Sequence, residues 1–323
     1  MLLNTKNGEK LLCEETEAGD LRLLRVFGSV DTLILPEKVE GKKIVSIGAY
    51  CFAQKGRLAP EPAKEVRDAG LGDGTQPGEG LLRPLNGSYL REAVLPDTVT
   101  CLEAYAFYNC RKLEQLTVGA ALTEINSDAF MNCRCLHTLI LRAHADEATG
   151  LPYLLNQLTA ELSVEFCGDG EKKVRLLYPE YSESYEEIGP AHIFSLHVEG
   201  EGYRARKQFV DGRLDARGYD TVFEKASNEE RFLTLMKMAL NRLEYPYELS
   251  EAAKARYQAY IEAHEAEVLE QLVRAEDEAT LQSLCANPLI LDEAIQAAVV
   301  QAVSQGWTRG VAGIIRWRNQ LSV

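Results

Sequence analysis

Five histidines and eight cysteines are the side chains of this chain best suited to metal binding or nucleophilic attack. His192 and His197 are five positions apart, so a strand carrying both would point them to opposite faces, away from a shared metal. His264 sits among Glu262, Glu265 and Glu267, the pattern of a solvated helix face. Cys133-x-Cys135 lacks zinc-knuckle spacing, and no second Cys-x-x-Cys or Cys/His pair answers it. Gly-Asp-Gly at 72–74 and 168–170 lacks the following Gly-Lys-Ser/Thr of a phosphate loop and the ligand spacing of a calcium loop; both read as turns. The acidic, tyrosine-rich run from Pro179 to Ile188 has the charge to hold a cation or a basic peptide, or to be a solvated loop. No Gly-x-Ser-x-Gly elbow is present. The expectation is a non-enzyme with no cofactor and no metal.

A second group is suited to binding rather than reaction. Trp307, Arg309, Arg316, Trp317 and Arg318 gather near the end of an otherwise acidic sequence, and Trp and Arg are the types most enriched at binding hot spots. A helix over 308–320 puts Val311, Ile314, Ile315 and Arg318 on one side, with Arg309, Arg316 and Trp317 nearer the other. The competing reading is that Trp317 packs over the helix at 292–305, with the arginines solvated.

These residues must be positioned by elements of which the clearest is a repeat. Leu95-Pro-Asp-Thr-Val99-Thr-Cys-Leu102-Glu-Ala-Tyr-Ala106-Phe107-Tyr-Asn109-Cys110 is matched, 23 positions on, by Val118-Gly-Ala-Ala-Leu122-Thr-Glu-Ile125-Asn-Ser-Asp-Ala129-Phe130-Met-Asn132-Cys133. The Ala-Phe-x-Asn-Cys run recurs intact. A period in the twenties marks a solenoid, whose units bury their apolar sides by stacking on one another. With Leu113, Leu116 and Val118 inward, the outward strand positions are Gln115 and Thr117, then Thr138 and Ile140 one repeat later, and Glu92 and Val94 one repeat earlier. An altered repeat opens at Leu33-Ile-Leu-Pro36 and reaches Ala49-Tyr-Cys51-Phe52.

Cys110 and Cys133 share a repeat slot, and Cys51 occupies that of Ala106 and Ala129, so the cysteines read as buried, reduced thiols. The net charge of −14 argues against nucleic-acid and anionic-membrane partners. The start of the chain builds no apolar signal core, and no run approaches the ~20 apolar residues of a membrane-spanning helix. A cytoplasmic protein is the expectation.

Residues 9–35 read as strands of an N-terminal cap. Residues 54–85, rich in Gly and Pro, read as a long excursion, disordered apart from a short helix near 62–69. Leucines at helical spacing suggest a helix over 148–162, followed by a closing strand at 162–166. Strand-like pieces at 174–178 and 192–198 flank the acidic run. Helical periodicity starts at Ser227-Asn-Glu-Glu230, a capping box, and continues from Ser250 with Ala252, Ala255, Ala259, Ala263, Leu269, Leu272 and Val273 inward. Shorter helices follow at 278–285, 292–305 and 308–320, with Gly306 as a C-terminal cap.

The pattern Leu-Pro-x-x-Val-x-x-Leu/Ile-x-x-x-Ala-Phe-x-Asn-Cys-x-x-Leu-x-x-Leu resembles the BspA-like, or treponemal-type, leucine-rich repeat. The resemblance implies a curved stack presenting one strand per repeat on a common face, with a binding or adhesion role. The final two helices, from Asp292 to Ile315, look ankyrin-like but lack Thr-Pro-Leu-His. The expected fold is α+β: a leucine-rich-repeat solenoid of about three repeats with its cap (1–167), a β-containing connecting module (168–226) and an antiparallel α-helical hairpin domain (227–323). The expected function is protein–protein interaction through Glu92, Val94, Gln115, Thr117, Thr138 and Ile140, through Trp307, Arg309, Arg316 and Trp317, or through both. The alternative is an enzyme or ligand-binding protein with its site between the repeat and helical domains.

Overall fold

The repeat turns the chain at fixed places. Tyr50, Tyr105 and Asp128, one before the small residue of each motif, have φ of 58°, 61° and 56°; Asn109 and Asn132 have φ of 58° and 65°. Asn tolerates this left-handed region better than most residues, which accounts for its recurrence. Between these turns the rings of Phe52, Phe107 and Phe130 stack at 4.7 and 5.3 Å. Each motif cysteine donates to the Phe carbonyl of the preceding unit, Cys110 Sγ to Phe52 at 3.2 Å and Cys133 Sγ to Phe107 at 3.1 Å. The slot therefore needs a small side chain that can donate a weak hydrogen bond inside an apolar core.

The computed structural model describes residues 1–53, 60–71, 82–168, 174–188, 192–227 and 229–319. The fold is α+β, in two compact units, Met1–Asp215 and Ala216–Val323. In the first unit the repeats build one continuous sheet in the order Thr32–Ile34, Glu92–Val94, Gln115–Gly119, Thr138–Arg142, Leu162–Phe166 and Val174–Tyr178. All its pairs are parallel except the last. Leu33, Ala93, Leu116, Leu139, Val164 and Leu176 form its inward rung, none more than 1% exposed. A second sheet carries Lys42–Ile47, Cys101–Leu102 and Glu124–Ile125 in parallel, and continues into the antiparallel N-terminal strands Leu2–Asn4, Lys10–Glu15 and Leu21–Gly28. These last are the cap expected from residues 9–35.

The excursion from the solenoid is partly ordered. Helix Pro60–Asp68 fits the expected short helix, and it is pinned: Val66 and Leu71 pack with Leu12 and Phe27, while the Glu65 carboxylate accepts the Leu2 N–H at 2.7 Å. This apolar packing against the cap outweighs the disorder that its composition suggests. The rest of the insertion, 54–59 and 72–81, lies outside the described residues.

Past the repeats three expectations are corrected. The helix expected over 148–162 spans only Leu151–Leu155, because the chain must straighten to place Leu162–Phe166 on the sheet edge. The acidic run is not a loop. Ser182–Ile188 is a strand paired antiparallel with Ile193–Glu199 in a two-stranded ribbon. Residues 168–226 are divided: Val174–Tyr178 completes the repeat sheet, whose edge amides it satisfies, and Ala216–Ala226 is a helix of the second unit. Arg206, 1% exposed, holds the end of the first unit by donating to the carbonyls of Pro179, Gly202 and Ala160.

The second unit contains helices Ala216–Ala226, Phe232–Glu244, Glu251–Arg274, Glu278–Cys285, Asp292–Ser304 and Thr308–Asn319. Ser227 does not open a helix; its hydroxyl donates back to the Glu224 carbonyl, ending one. Ser250 does cap, accepting the Ala253 N–H at 3.2 Å. Gly306 has φ of 75°, as its cap position requires. The inward face of Glu251–Arg274 is not the alanine stripe. Ala252, Ala255, Ala259 and Ala263 are exposed, and Tyr257, Tyr260, Ile261 and Val268 are buried beside Leu269, Leu272 and Val273. Aromatic side chains remove far more apolar area from water than Ala does, so they take the core. Among the described residues no helix is long and apolar enough to cross a membrane.

Candidate interaction surface

The six strand positions expected to face outward are brought together in two adjacent ladders. Glu92, Gln115 and Thr138 are register partners, as are Val94, Thr117 and Ile140. Parallel pairing sets the rungs about 4.8 Å apart, and side-chain alternation keeps both ladders opposite the buried Leu116 row. Thr32 and Ile34 extend them at one end, Ser163 and Glu165 at the other. Sequence reasoning misses these four because their strands stand 60 residues before and 25 residues after their neighbours, outside the 23-residue phase.

The ladders differ in character. The first, Thr32–Glu92–Gln115–Thr138–Ser163, is polar throughout. The second, Ile34–Val94–Thr117–Ile140, is a β-branched strip that ends at Glu165, which pairs with Arg175 at 2.8 Å. Ile34 is 57% exposed, whereas Thr117, in the middle, is only 6% exposed. Thr117 is thus outward but shielded, because branched side chains of Val94 and Ile140 flank it on both neighbouring strands. The face is closed at its far end, where Leu177, opposite Ser163, is buried. It opens toward Ile34.

Ion pairs between repeats frame this strip. Arg91 forms a forked pair with Glu114, 23 residues on, at 2.8 Å to both carboxylate oxygens, and this hydrogen bonding holds Glu114 below the usual carboxylate range. At the other strand end Arg142 binds Asp97 at 2.7 Å. Exposed pairs of this kind add little stability but fix side chains in place. Among the described residues no group of three or more His, Cys, Asp or Glu could hold a metal ion.

The deciding match covers this same stretch: residues 85–149 fit the family model for the BspA type leucine rich repeat region (6 copies). Residues 85–149 are a BspA-type leucine-rich repeat region. Repeats of this family generally mediate protein–protein interaction. No curated protein and no solved structure matches the chain.

The C-terminal candidates do not form a comparable surface. Trp317 is 1% exposed and belongs to the core of its unit, which corrects its assignment as a partner-facing residue. Gly313, one turn earlier, leaves the space for its ring. Trp307 is half-buried over Gly310. Arg318 is tied down, donating to Asp292 and to the carbonyls of Asn287 and Ile290. Arg309 is exposed and paired with Glu278 at 2.8 Å; Arg316 is exposed, 6.0 Å from the Trp317 ring. Only the two arginines remain presented. His264 is also not a solvated side chain: its ring stacks on Phe232 and packs against Tyr260, at 4.9 and 4.4 Å between centroids.

Proposed function

We propose that the chain is a non-enzymatic binding protein whose repeat region grips another protein across the two outward ladders. The supporting observation is the register: Ile34, Val94 and Ile140, with the shielded Thr117 between the last two, make a mainly apolar strip beside the polar row Thr32, Glu92, Gln115 and Thr138. Such a face offers van der Waals contact in one row and hydrogen bonds in the next, at the fixed spacing of the strands. A partner with an extended segment or a flat sheet edge can read both rows together. The exposed end at Ile34 is where its apolar anchor fits.

The test compares two forms of the full chain in affinity capture with chemical cross-linking. One is unaltered; the other carries Ile34→Glu and Ile140→Glu. The expected result is a protein cross-linked to the ladder in the first sample and depleted about tenfold or more in the second, since a buried carboxylate at an interface core costs several kcal/mol. Thermal unfolding of both forms checks that the sheet persists. Equal recovery of every captured protein by both forms overturns the proposal.

A further inference from the structure

We propose that the ribbon Ser182–Ile188/Ile193–Glu199 docks a cationic, apolar segment of another protein on one of its two faces. Register decides what each face carries. Directly opposed residues of an antiparallel pair project to the same side. Glu183 opposes Val198, Tyr185 opposes Leu196, and Glu187 opposes Phe194. One face therefore presents Phe194, Leu196 and Val198 as a continuous row, Tyr185 beside them, and Glu183 and Glu187 flanking Tyr185 on its strand. Between the terminal pairs, Ser182 with Glu199 and Ile188 with Ile193, the opposite face carries the polar residues Ser184, Glu186, Ser195 and His197.

The apolar row is uncovered. Tyr185 is 69% exposed, Phe194 64%, Leu196 43% and Val198 37%. These are strand neighbours, so they form one patch rather than scattered single residues, the kind of exposure that marks an interaction site. The ribbon forms its own sheet among the described residues. A two-stranded sheet with no covered face is marginal in water and gains stability from any layer laid on it.

Charge selects the layer. Residues 180–199 contain five Glu, two His and no Lys or Arg. Glu187 is bonded to the His192 ring and Glu186 to His197, while Glu183 makes no ion pair among the described residues. A second copy of this chain would bring acidic face to acidic face, and each copy carries a net charge of −14. Nucleic acid and anionic lipid are repelled for the same reason. An occupant with apolar side chains for Phe194, Leu196 and Val198, and Lys or Arg for Glu183 and Glu187, satisfies both features. This site is separate from the repeat ladders.

Binding is measured on the full chain with short synthetic peptides. The expected ligand is a peptide alternating Val and Lys. An alternating Ser–Lys peptide, which keeps charge alone, should bind about tenfold or more weakly, and a Val–Glu peptide should not bind. Phe194→Ser with Leu196→Ser, and separately Glu183→Lys with Glu187→Lys, should each lower affinity for the Val–Lys peptide about tenfold. Circular dichroism and thermal unfolding report whether these variants fold. Hydroxyl-radical footprinting of the unaltered chain gives an answer even where they do not: Tyr185 and Phe194 should be protected by the Val–Lys peptide. Equal binding of all three peptides, equal binding by folded variants, or absence of protection overturns the proposal. So does a dimer of the chain alone that dissociates on Phe194→Ser with Leu196→Ser, which would give the face to a second copy.

Discussion

The Trp317 indole fills the space that Gly313 leaves open: a Cβ placed on Gly313 would lie 2.7 Å from the ring. The ring is 1% exposed and cannot move aside without disturbing the core. Helix propensity favours Gly313→Ala by about 1 kcal/mol, but overpacking costs about 1–3 kcal/mol. A net loss is expected, and it should be visible as a lower urea midpoint. Trp317→Ala should cost about 3–5 kcal/mol with no need of a partner to see it.

Asp220 and Arg242 anchor the second unit. Arg242 is 0% exposed and donates to the carboxylate at 2.6 and 2.9 Å, and the Tyr257 hydroxyl donates to it at 2.7 Å. Burial works against the guanidinium charge, but Asp220 outweighs it and holds the Arg242 pKa above its ordinary value. Asp220→Ala strands this cation and should cost about 3–5 kcal/mol. Replacing Asp220 and Arg242 together by apolar residues should cost less than the single change, which a double-mutant cycle in urea measures.

The repeat unit should weaken in acid through Glu103. Burial raises its pKa, but hydrogen bonds from Arg22, at 2.5 Å from both Nε and Nη2, and from the Ala49 N–H at 2.9 Å hold it below the usual carboxylate range. A carboxylate with a depressed folded-state pKa contributes stability that is present above its unfolded pKa. That contribution is lost as pH falls through the folded pKa. Unfolding of the unaltered chain should therefore become easier on going from pH 6 to below the carboxylate range, and Glu103→Gln should flatten that part of the profile. An unchanged slope in the variant would remove Glu103 as the cause.

Thiol reactivity should follow burial. All eight cysteines are free, with Cys135 exposed, Cys101 and Cys167 half-buried, and the other five buried. Burial pushes the Cys13 thiol up to about 12 and Cys285 to about 11, so few thiolates exist near neutrality. Alkylation of the native chain, read by mass spectrometry, should label Cys135 first and spare Cys51, Cys110 and Cys133. In denaturant all eight should react.

The ladders were legible because the 23-residue period fixes phase: once Leu116 is inward, Gln115 and Thr117 are outward, and the same holds for their partners. The shielding of Thr117 was not, since it depends on what stands beside it on adjacent strands. The face of helix Glu251–Arg274 was misread because alanines and tyrosines offer competing stripes at helical spacing, and only packing chooses between them. Asp220 and Arg242 are 22 residues apart on different helices, so no local pattern joins them. The ribbon was hidden because Ser182–Ile188 is polar at most positions, and its apolar face is supplied by the opposite strand. For Trp317 the sequence allowed two environments; a glycine four residues earlier was the clue that favoured the buried one.

Gln115, Thr117 and Val118 pair with Thr138, Ile140 and Leu141, each 23 residues later, with no offset anywhere along the strand. A length of chain equal to that period consequently advances the chain by one strand of the stack. Duplicating residues 95–117 would add one rung, about 4.8 Å of new sheet, while every cap residue and every turn kept its neighbours. The stretch from Glu92 to Arg142 is in this sense graduated in whole units, to which another can be added between the two ends of the sheet.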